Sequence, residues 1–187
     1  AQVNLATQAN ERCLLTSGKS RFTLGTLPSE DYPSLGNPEN ITPLNISRNR
    51  LIDLIHKTQF AMAIQDVRYY LTGMLFDVSQ QQLTTVATDG HRLALARSVI
   101  DVSADLNMQS ILPRKAVIEL ERLASELGKM LGEQDNQVTL SFGREFLQVS
   151  LPFGEVDSAG QMNENLMVTF TARLIDGKFP DYRRVMP

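Results

Sequence analysis

The sequence predicts an α+β fold: a duplicated β-α-β-β-β unit with two helices packed on antiparallel sheets, preceded by a short β-hairpin segment. Three observations carry this. Two stretches after Ile41 repeat the same order of strand, helix and three strands. Each predicted helix has a single apolar stripe, the pattern of a helix lying on a sheet. The remaining segments alternate in polarity and are joined by turn residues, the pattern of antiparallel strands.

The first segment reads as β. Gln2–Thr7 alternates, with Val3 and Leu5 on one face. Arg12–Ser17 and Ser20–Leu24 form a hairpin through Gly18-Lys19. Pro28–Asn40, rich in Pro, Ser, Gly and Asn, is the best linker candidate.

In the first half of the repeat, Thr42–Ile46 is a strand and Ser47 is the N-cap of a helix over Arg48–Phe60. Leu51, Ile52, Leu54 and Ile55 are its apolar stripe. Strands Leu71–Val78, Gln82–Thr88 and Arg92–Ser98 follow. In the second half, Gln109–Leu112 is the strand. Pro113 starts a helix to about Leu131, with Leu120, Leu123, Leu127 and Leu131 on one face. Strands Gln137–Phe142, Glu145–Leu151 and Leu166–Arg173 complete it, with a tight turn at Gly143-Arg144. The polar stretch Pro152–Asn165 reads as a long loop.

The chain has 187 residues, enough for one domain and part of another, and 42% of them are hydrophobic, which suits a packed core. No apolar run approaches a membrane span, and no signal-peptide pattern is present. Cys13 is the only cysteine, so no intrachain disulfide can form and the cytoplasm is the default compartment. A net charge of −3 argues against attachment to DNA by bulk positive charge, but leaves room for a local basic stripe. A start at Ala1 without methionine and an end at Met186-Pro187 are expected of a fragment.

Such a stripe is suggested by the helices. Lys115, Arg122 and Lys129 recur every seven residues opposite Leu120, Leu123 and Leu127, and Arg50 and Lys57 do the same in the first helix. Two readings stand. Side by side, the helices would present a basic strip to a phosphate backbone. Alternatively, Glu119 and Glu126 make this a solvated face laced with weak salt bridges. Asp89-Gly90 between apolar strands signals a two-residue hairpin turn and by itself nothing more.

Four segments taken together are more specific: Gln65–Phe76 (QDVRYYLTGMLF), Thr85–Leu95 (TVATDGHRLAL), Leu112–Leu120 (LPRKAVIEL) and Asp176–Pro187 (DGKFPDYRRVMP). In the same order they resemble the middle domain of the bacterial DNA polymerase III β subunit, the sliding-clamp family. The resemblance spans nearly the whole chain and is weak over Asp135–Glu164, where the polar loop is longer than the family leads one to expect. It implies the DNA-clamp fold, with residues 1–38 as the end of a first domain plus linker and 39–187 as the middle domain.

The resemblance also implies roles. A pocket for short linear motifs matches Leu71, Thr88, Gly90, His91, Arg92, Leu93, Pro180, Arg184 and Val185. Leu71, Leu93, Pro180 and Val185 would be its apolar floor, and His91, Arg92 and Arg184 its polar rim. Without the resemblance, the last segment is a solvated charge run. The remaining wall, from a third-domain tail, is not in this sequence, so peptide binding should be weak. Family DNA contacts match Gln65, Tyr69, Tyr70, Arg114 and Lys115, with Arg68 beside them; the channel-lining helices would add Arg50, Lys57, Arg122 and Lys129. The tyrosine pair would stack on exposed bases, or at least one ring is packed against a helix. Ser17–Leu24 resembles the hairpin that pairs with a third domain across a ring interface, where Lys19 and Arg21 would face acidic partners; a solvated basic hairpin is the alternative.

The function implied is a non-catalytic processivity factor. The whole protein, a head-to-tail homodimeric ring, would enclose duplex DNA without sequence preference. It would tether the DNA polymerase III catalytic subunit, other polymerases and repair proteins in the cytoplasm, at the nucleoid. A separate ATP-driven clamp loader would place it on DNA, and no membrane or cofactor is involved. Two other classes compete: a DNA-modifying hydrolase using Asp89 and His91, and a peptide-binding module that never meets DNA. Against the hydrolase, the sequence carries no Gly-x-Ser-x-Gly elbow, phosphate loop or metal-ligand spacing, and His56 and His91 are its only histidines.

Overall fold

The computed structural model describes residues 2–32, 41–130, 136–152 and 167–184. The chain divides into two compact units, Ala1–Asn37 and Pro38–Pro187. The first is a three-stranded antiparallel sheet of β1 (Asn4–Gln8), β2 (Arg12–Ser17) and β3 (Ser20–Gly25). Pairing puts Leu5, Leu15 and Phe22 in one row across it, and Thr7, Cys13 and Leu24 in another. Gly18 makes the β2–β3 turn with φ +56°, a conformation that L side chains resist. Residues 33–40 of the predicted linker lie outside the described residues.

The second unit contains the duplication. Its first half is β4 (Thr42–Ser47), α1 (Arg48–His56), β5 (Gly73–Ser79), β6 (Gln82–Thr88) and β7 (Leu93–Val99). Its second half is β8 (Met108–Pro113), α2 (Arg114–Met130), β9 (Gln137–Phe142), β10 (Phe146–Pro152) and β11 (Met167–Arg173). The halves exchange their first strands. Sheet order is β11-β10-β9-β4 in one sheet and β7-β6-β5-β8 in the other, all antiparallel. Each half thereby completes the sheet of its twin.

The two helices pack on these sheets through the residues that the periodicity marks. Leu51, Leu54 and Ile55 of α1 and Leu120 and Leu127 of α2 are buried, while Val117 and Ala124 widen the stripe of α2. Phe76 of one sheet meets Phe142 of the other at 6.1 Å between ring centroids. Between the helices, the buried Arg48 guanidinium lies over Gly128, where a Cβ would approach to 3.1 Å. Glu121 of α2 accepts from Gln59 at 3.1 Å and lies 3.5 Å from His56 Nδ1.

Several boundaries differ from expectation for local reasons. Helix α1 stops at His56, short of Phe60. The buried Thr58 hydroxyl donates to the Leu54 carbonyl at 2.8 Å, and its N–H turns to Ile55. A threonine that competes for backbone carbonyls ends the helical ladder. Strand β5 starts at Gly73 because Tyr69–Thr72 forms a 3-10 turn, closed by Thr72 Oγ1 donating to the Tyr69 carbonyl at 2.6 Å. Pro113 is the last residue of β8, paired with Gly73, and α2 begins at Arg114. The Gly143 N–H donates to Phe146 O at 2.9 Å across the β9–β10 turn. The predicted helix end at Leu131 and residues 153–165 of the predicted loop lie outside the described residues.

Strand β5 is buried along nearly its whole length because both its faces are covered. Met74, Phe76 and Val78 enter the main core under the helices, and Leu75 enters a second cluster with Leu71, Val86, Ile111, Phe179 and Tyr182. Gly73 sits where the covers meet. A Cβ there would come within 2.7 Å of the Leu112 carbonyl and of Ile111 Cγ2. Gly73→Ala is therefore expected to lower unfolding free energy by about 1–3 kcal/mol, the usual range for overpacking, as measured by urea denaturation.

Candidate partner-docking site and nucleic-acid face

The β6–β7 connection is built by its own side chains. It spans four residues, Asp89–Arg92, since Thr88 pairs with Leu93, so the expected two-residue turn is corrected. Thr88 Oγ1 accepts from the Gly90 N–H at 3.1 Å and donates to the Arg92 carbonyl at 2.6 Å. Asp89 Oδ1 accepts from the backbone N–H groups of His91 and Arg92, each at 3.0 Å, and Oδ2 takes Arg92 Nε at 3.0 Å. These donors, the His91 N–H first, hold the Asp89 carboxyl below the usual carboxylate range. Asp89 thus serves as the cap of a turn, facing the His91 backbone rather than its ring. Gly90 has φ +89° and leaves room for the Arg68 guanidinium, which a Cβ would meet at 3.0 Å. His91 and Arg92 are exposed, and the Arg92 guanidinium lies 5.7 Å over the ring of Phe60.

The second cluster brings this turn together with the last described segment. Leu71 is 2% exposed, Phe179 and Tyr182 are each 5% exposed, and half-buried Leu93 and Leu95 pack against them. Leu71 therefore lies beneath the surface it was expected to floor. Pro180 and Arg184 are exposed on the same segment, with Arg184 Nε 3.0 Å from Asp181 Oδ2. Val185 lies outside the described residues.

Sequence reasoning missed what seats this segment. Asp77 on β5 is 2% exposed, and its Oδ2 accepts from Tyr182 Oη at 2.8 Å, Arg183 Nη2 at 2.9 Å and Gln109 Nε2 at 3.1 Å. Burial, followed by the bond to Asp77, pushes the Tyr182 hydroxyl above its usual range. The signal was present: a lone carboxylate inside the apolar run MLFDV requires a partner.

The expected DNA-facing residues divide. Arg68 is bidentate with Asp66, at 3.0 Å to Oδ1 and 2.8 Å to Oδ2, and also reaches the Asp89 carbonyl at 3.5 Å. Tyr69 is exposed, with its hydroxyl donating to the Asp176 carbonyl at 2.9 Å. Tyr70 meets it edge-on at 5.8 Å and packs against the second cluster, so one ring of the pair is structural. Gln65 and Lys115 are exposed, and half-buried Arg114 donates to the Met62 carbonyl at 3.4 Å. On the helices, Arg122 is clasped by Glu119 and Glu126, and Lys57 by Asp53 at 2.6 Å. Among the described residues Arg50, Lys115 and Lys129 enter no ion pair. The basic strip is thus a mixed-charge face. In the first unit, Lys19 at the turn and Arg21 on β3 are exposed.

A cavity of about 620 Å³ lies elsewhere, along the seam where β8 meets the chain just after β11 through the isolated Ile111–Ile175 bridge, near Gln109, Arg173 and Lys178. None of the expected site residues lines it. Among the described residues no group of three or more His, Cys, Asp or Glu could hold a metal ion. No described helix is long and apolar enough to cross a membrane.

Comparison with known proteins adds a family. The profile of the DNA polymerase III beta subunit, central domain, matches residues 45–181. Curated beta sliding clamps are similar: that of Pseudomonas aeruginosa is 41% identical over 177 residues, 95% of this chain and 42% of the relative. That of Haemophilus influenzae is 43% identical over 178 residues, again 95% and 42%. The chain thus spans about two fifths of the length of these relatives. Among solved structures, the P. aeruginosa DNA polymerase III subunit beta has a TM-score of 0.82 at 38% identity, covering 99% of this chain and 45% of that one. A P. aeruginosa sliding clamp bound to griselimycin gives 0.79 at 38%, covering 99% and 44%. The Bacillus subtilis DNA polymerase sliding clamp gives 0.80 at 28%, covering 99% and 43%.

The tie between Asp66 and Arg68 predicts a titration. Arg68 hydrogen bonds, with its guanidinium first, lower the Asp66 carboxyl from the usual 3.8 to about 2. Because the folded-state value is depressed, the stabilisation is present above 3.8 and is lost as pH falls through about 2. Carboxyl-carbon NMR should place the Asp66 midpoint near 2, and Arg68→Ala should return it toward 3.8.

Proposed function

This chain belongs to the DNA polymerase III β subunit family, through its central domain, and we propose that it acts as part of a sliding clamp, a non-catalytic processivity factor. The observation that carries this reading is the meeting, on one small apolar cluster, of the self-capped turn Thr88–Leu93 and the segment Phe179–Arg184. A partner's apolar anchor would settle over Leu71 and Leu93, between Arg92 and His91 on one side and Pro180 and Arg184 on the other. Val185 would extend the floor. An apolar anchor inside a polar rim is common interface anatomy. The occupants proposed are short linear motifs of the DNA polymerase III catalytic subunit, the clamp loader, other polymerases and repair proteins.

The helices would face duplex DNA. On them Arg50, Lys57, Lys115, Arg122 and Lys129 alternate with Asp53, Glu119, Glu121 and Glu126. Five cations among four carboxylates give weak attraction without base readout, as sliding requires. Gln65, Arg68, Tyr69, Tyr70 and Arg114 would contribute from the loop and the start of α2. In the full-length protein, a homodimeric ring would close through the hairpin bearing Lys19 and Arg21, and enclosure would hold the polymerase on DNA. A separate clamp loader would supply the ATP-driven step, and the ring would work in the cytoplasm at the nucleoid.

Two experiments test this. An NMR titration with a Gln/Leu/Phe-type peptide, taken to millimolar concentration, should shift Leu71, Thr88–Leu93 and Pro180–Arg184. Shifts confined to other surfaces would contradict the docking site. Duplex binding by fluorescence anisotropy should be weak and fall with salt. Changing Lys115 and Arg122 to Glu should flatten the log–log salt slope by about 1–2, at roughly 0.9 per phosphate contact; an unchanged slope would remove the helices from the DNA face.

A further inference from the structure

We propose that Asp77 is the positioning residue of the docking site: it latches the segment that carries the second wall, without touching the docked partner. The proposal rests on the docking reading above and adds the group on which its geometry depends.

A carboxylate buried within a sheet is costly unless it is paired with a cation and hydrogen-bonded. Asp77 solves this with one oxygen and three donors, and two of the three come from the adjacent residues Tyr182 and Arg183. The third, Gln109, lies on β8, so the carboxylate ties β5, β8 and the last segment at one point. Arg183 also reaches Ser79 Oγ at 3.3 Å, and its guanidinium lies 5.4 Å over the Tyr182 ring.

The segment alternates around this latch. Phe179 and Tyr182 face inward to the cluster that holds Leu71, and Pro180 and Arg184 remain exposed. Pro180 lies two residues before Tyr182, and Arg184 two after it. Releasing Tyr182 and Arg183 would therefore free both wall residues. The opposite wall would be untouched, because Thr88 and Asp89 cap it internally. Asp77 itself is 2% exposed and out of reach of any docked peptide.

The test uses the whole chain and a Gln/Leu/Phe-type peptide, with affinities from NMR shifts. Asp77→Asn keeps the shape and removes the charge that Arg183 answers, and Tyr182→Phe removes one donor alone. Asp77→Asn should weaken the peptide roughly five- to twentyfold and Tyr182→Phe roughly threefold, sizes expected for lost hydrogen bonds. In the free protein the resonances of Thr88–Leu93 should stay in place while those of Phe179–Arg184 move. The loss should shrink in an Arg184→Ala background, where one of the two wall contacts is already gone, and persist in full in an Arg92→Ala background, the non-additivity of residues acting through one wall. Wild-type affinity in folded Asp77→Asn, or an equal loss in both backgrounds, overturns the proposal. If Asp77→Asn does not fold, Tyr182→Phe decides by the same two backgrounds. Absence of peptide-induced shifts in the wild-type chain would instead overturn the docking reading, and the latch with it.

Discussion

Strand β5 is buried on both faces, and the need to cover it twice organises the larger unit. One cover is the helix layer above Met74, Phe76 and Val78. The other is the second cluster around Leu75, which requires the chain to return over β5 after β11. That return brings Phe179 and Tyr182 into one cluster with Leu71 and with Leu93, the residue that follows the β6–β7 turn, and leaves Pro180 and Arg184 exposed on the same segment. The proposed docking surface would thus be a by-product of finishing the core. Its floor cannot be altered without disturbing β5, whereas its exposed rim can vary.

The duplication explains why both helices lie together. Because β4 completes the sheet of the second half and β8 that of the first, neither half closes its sheet alone. The helices then meet through Glu121, Gln59 and the Arg48–Gly128 contact, leaving their charged flanks outward. On those flanks Lys57 and Arg122 are held by carboxylates three or four residues away, so the face is of mixed charge and any attraction it has for phosphates would be weak.

Much of this was legible in the sequence because it is local. Periodicity placed both helices and all eight strands of the repeat within a few residues, and Ser47 as an N-cap accepts the Arg50 N–H as expected. Features that depend on distant partners were not legible. Thr58 ends its helix because Leu54 and Thr85 lie within reach of its hydroxyl. Leu71 leaves the strand and is buried against Phe179 and Tyr182, more than a hundred residues further along the chain. The exchange of first strands has no sequence signature, since either pairing alternates equally well. For the site, resemblance supplied the turn and the wall residues; the apolar run around Asp77 showed that this carboxylate needs a partner, but not that Tyr182 and Arg183 supply it, nor that Asp89 caps its own turn.

Whether the turn Thr88–Leu93 and the segment Phe179–Arg184 together form the proposed partner-docking surface is tested most directly by a crystal structure of the chain with a Leu- or Phe-containing clamp-binding peptide. The apolar anchor of the peptide is expected over Leu71 and Leu93, flanked by Arg92 and Pro180. A peptide seated instead in the seam cavity beside Gln109, Arg173 and Lys178 would contradict it.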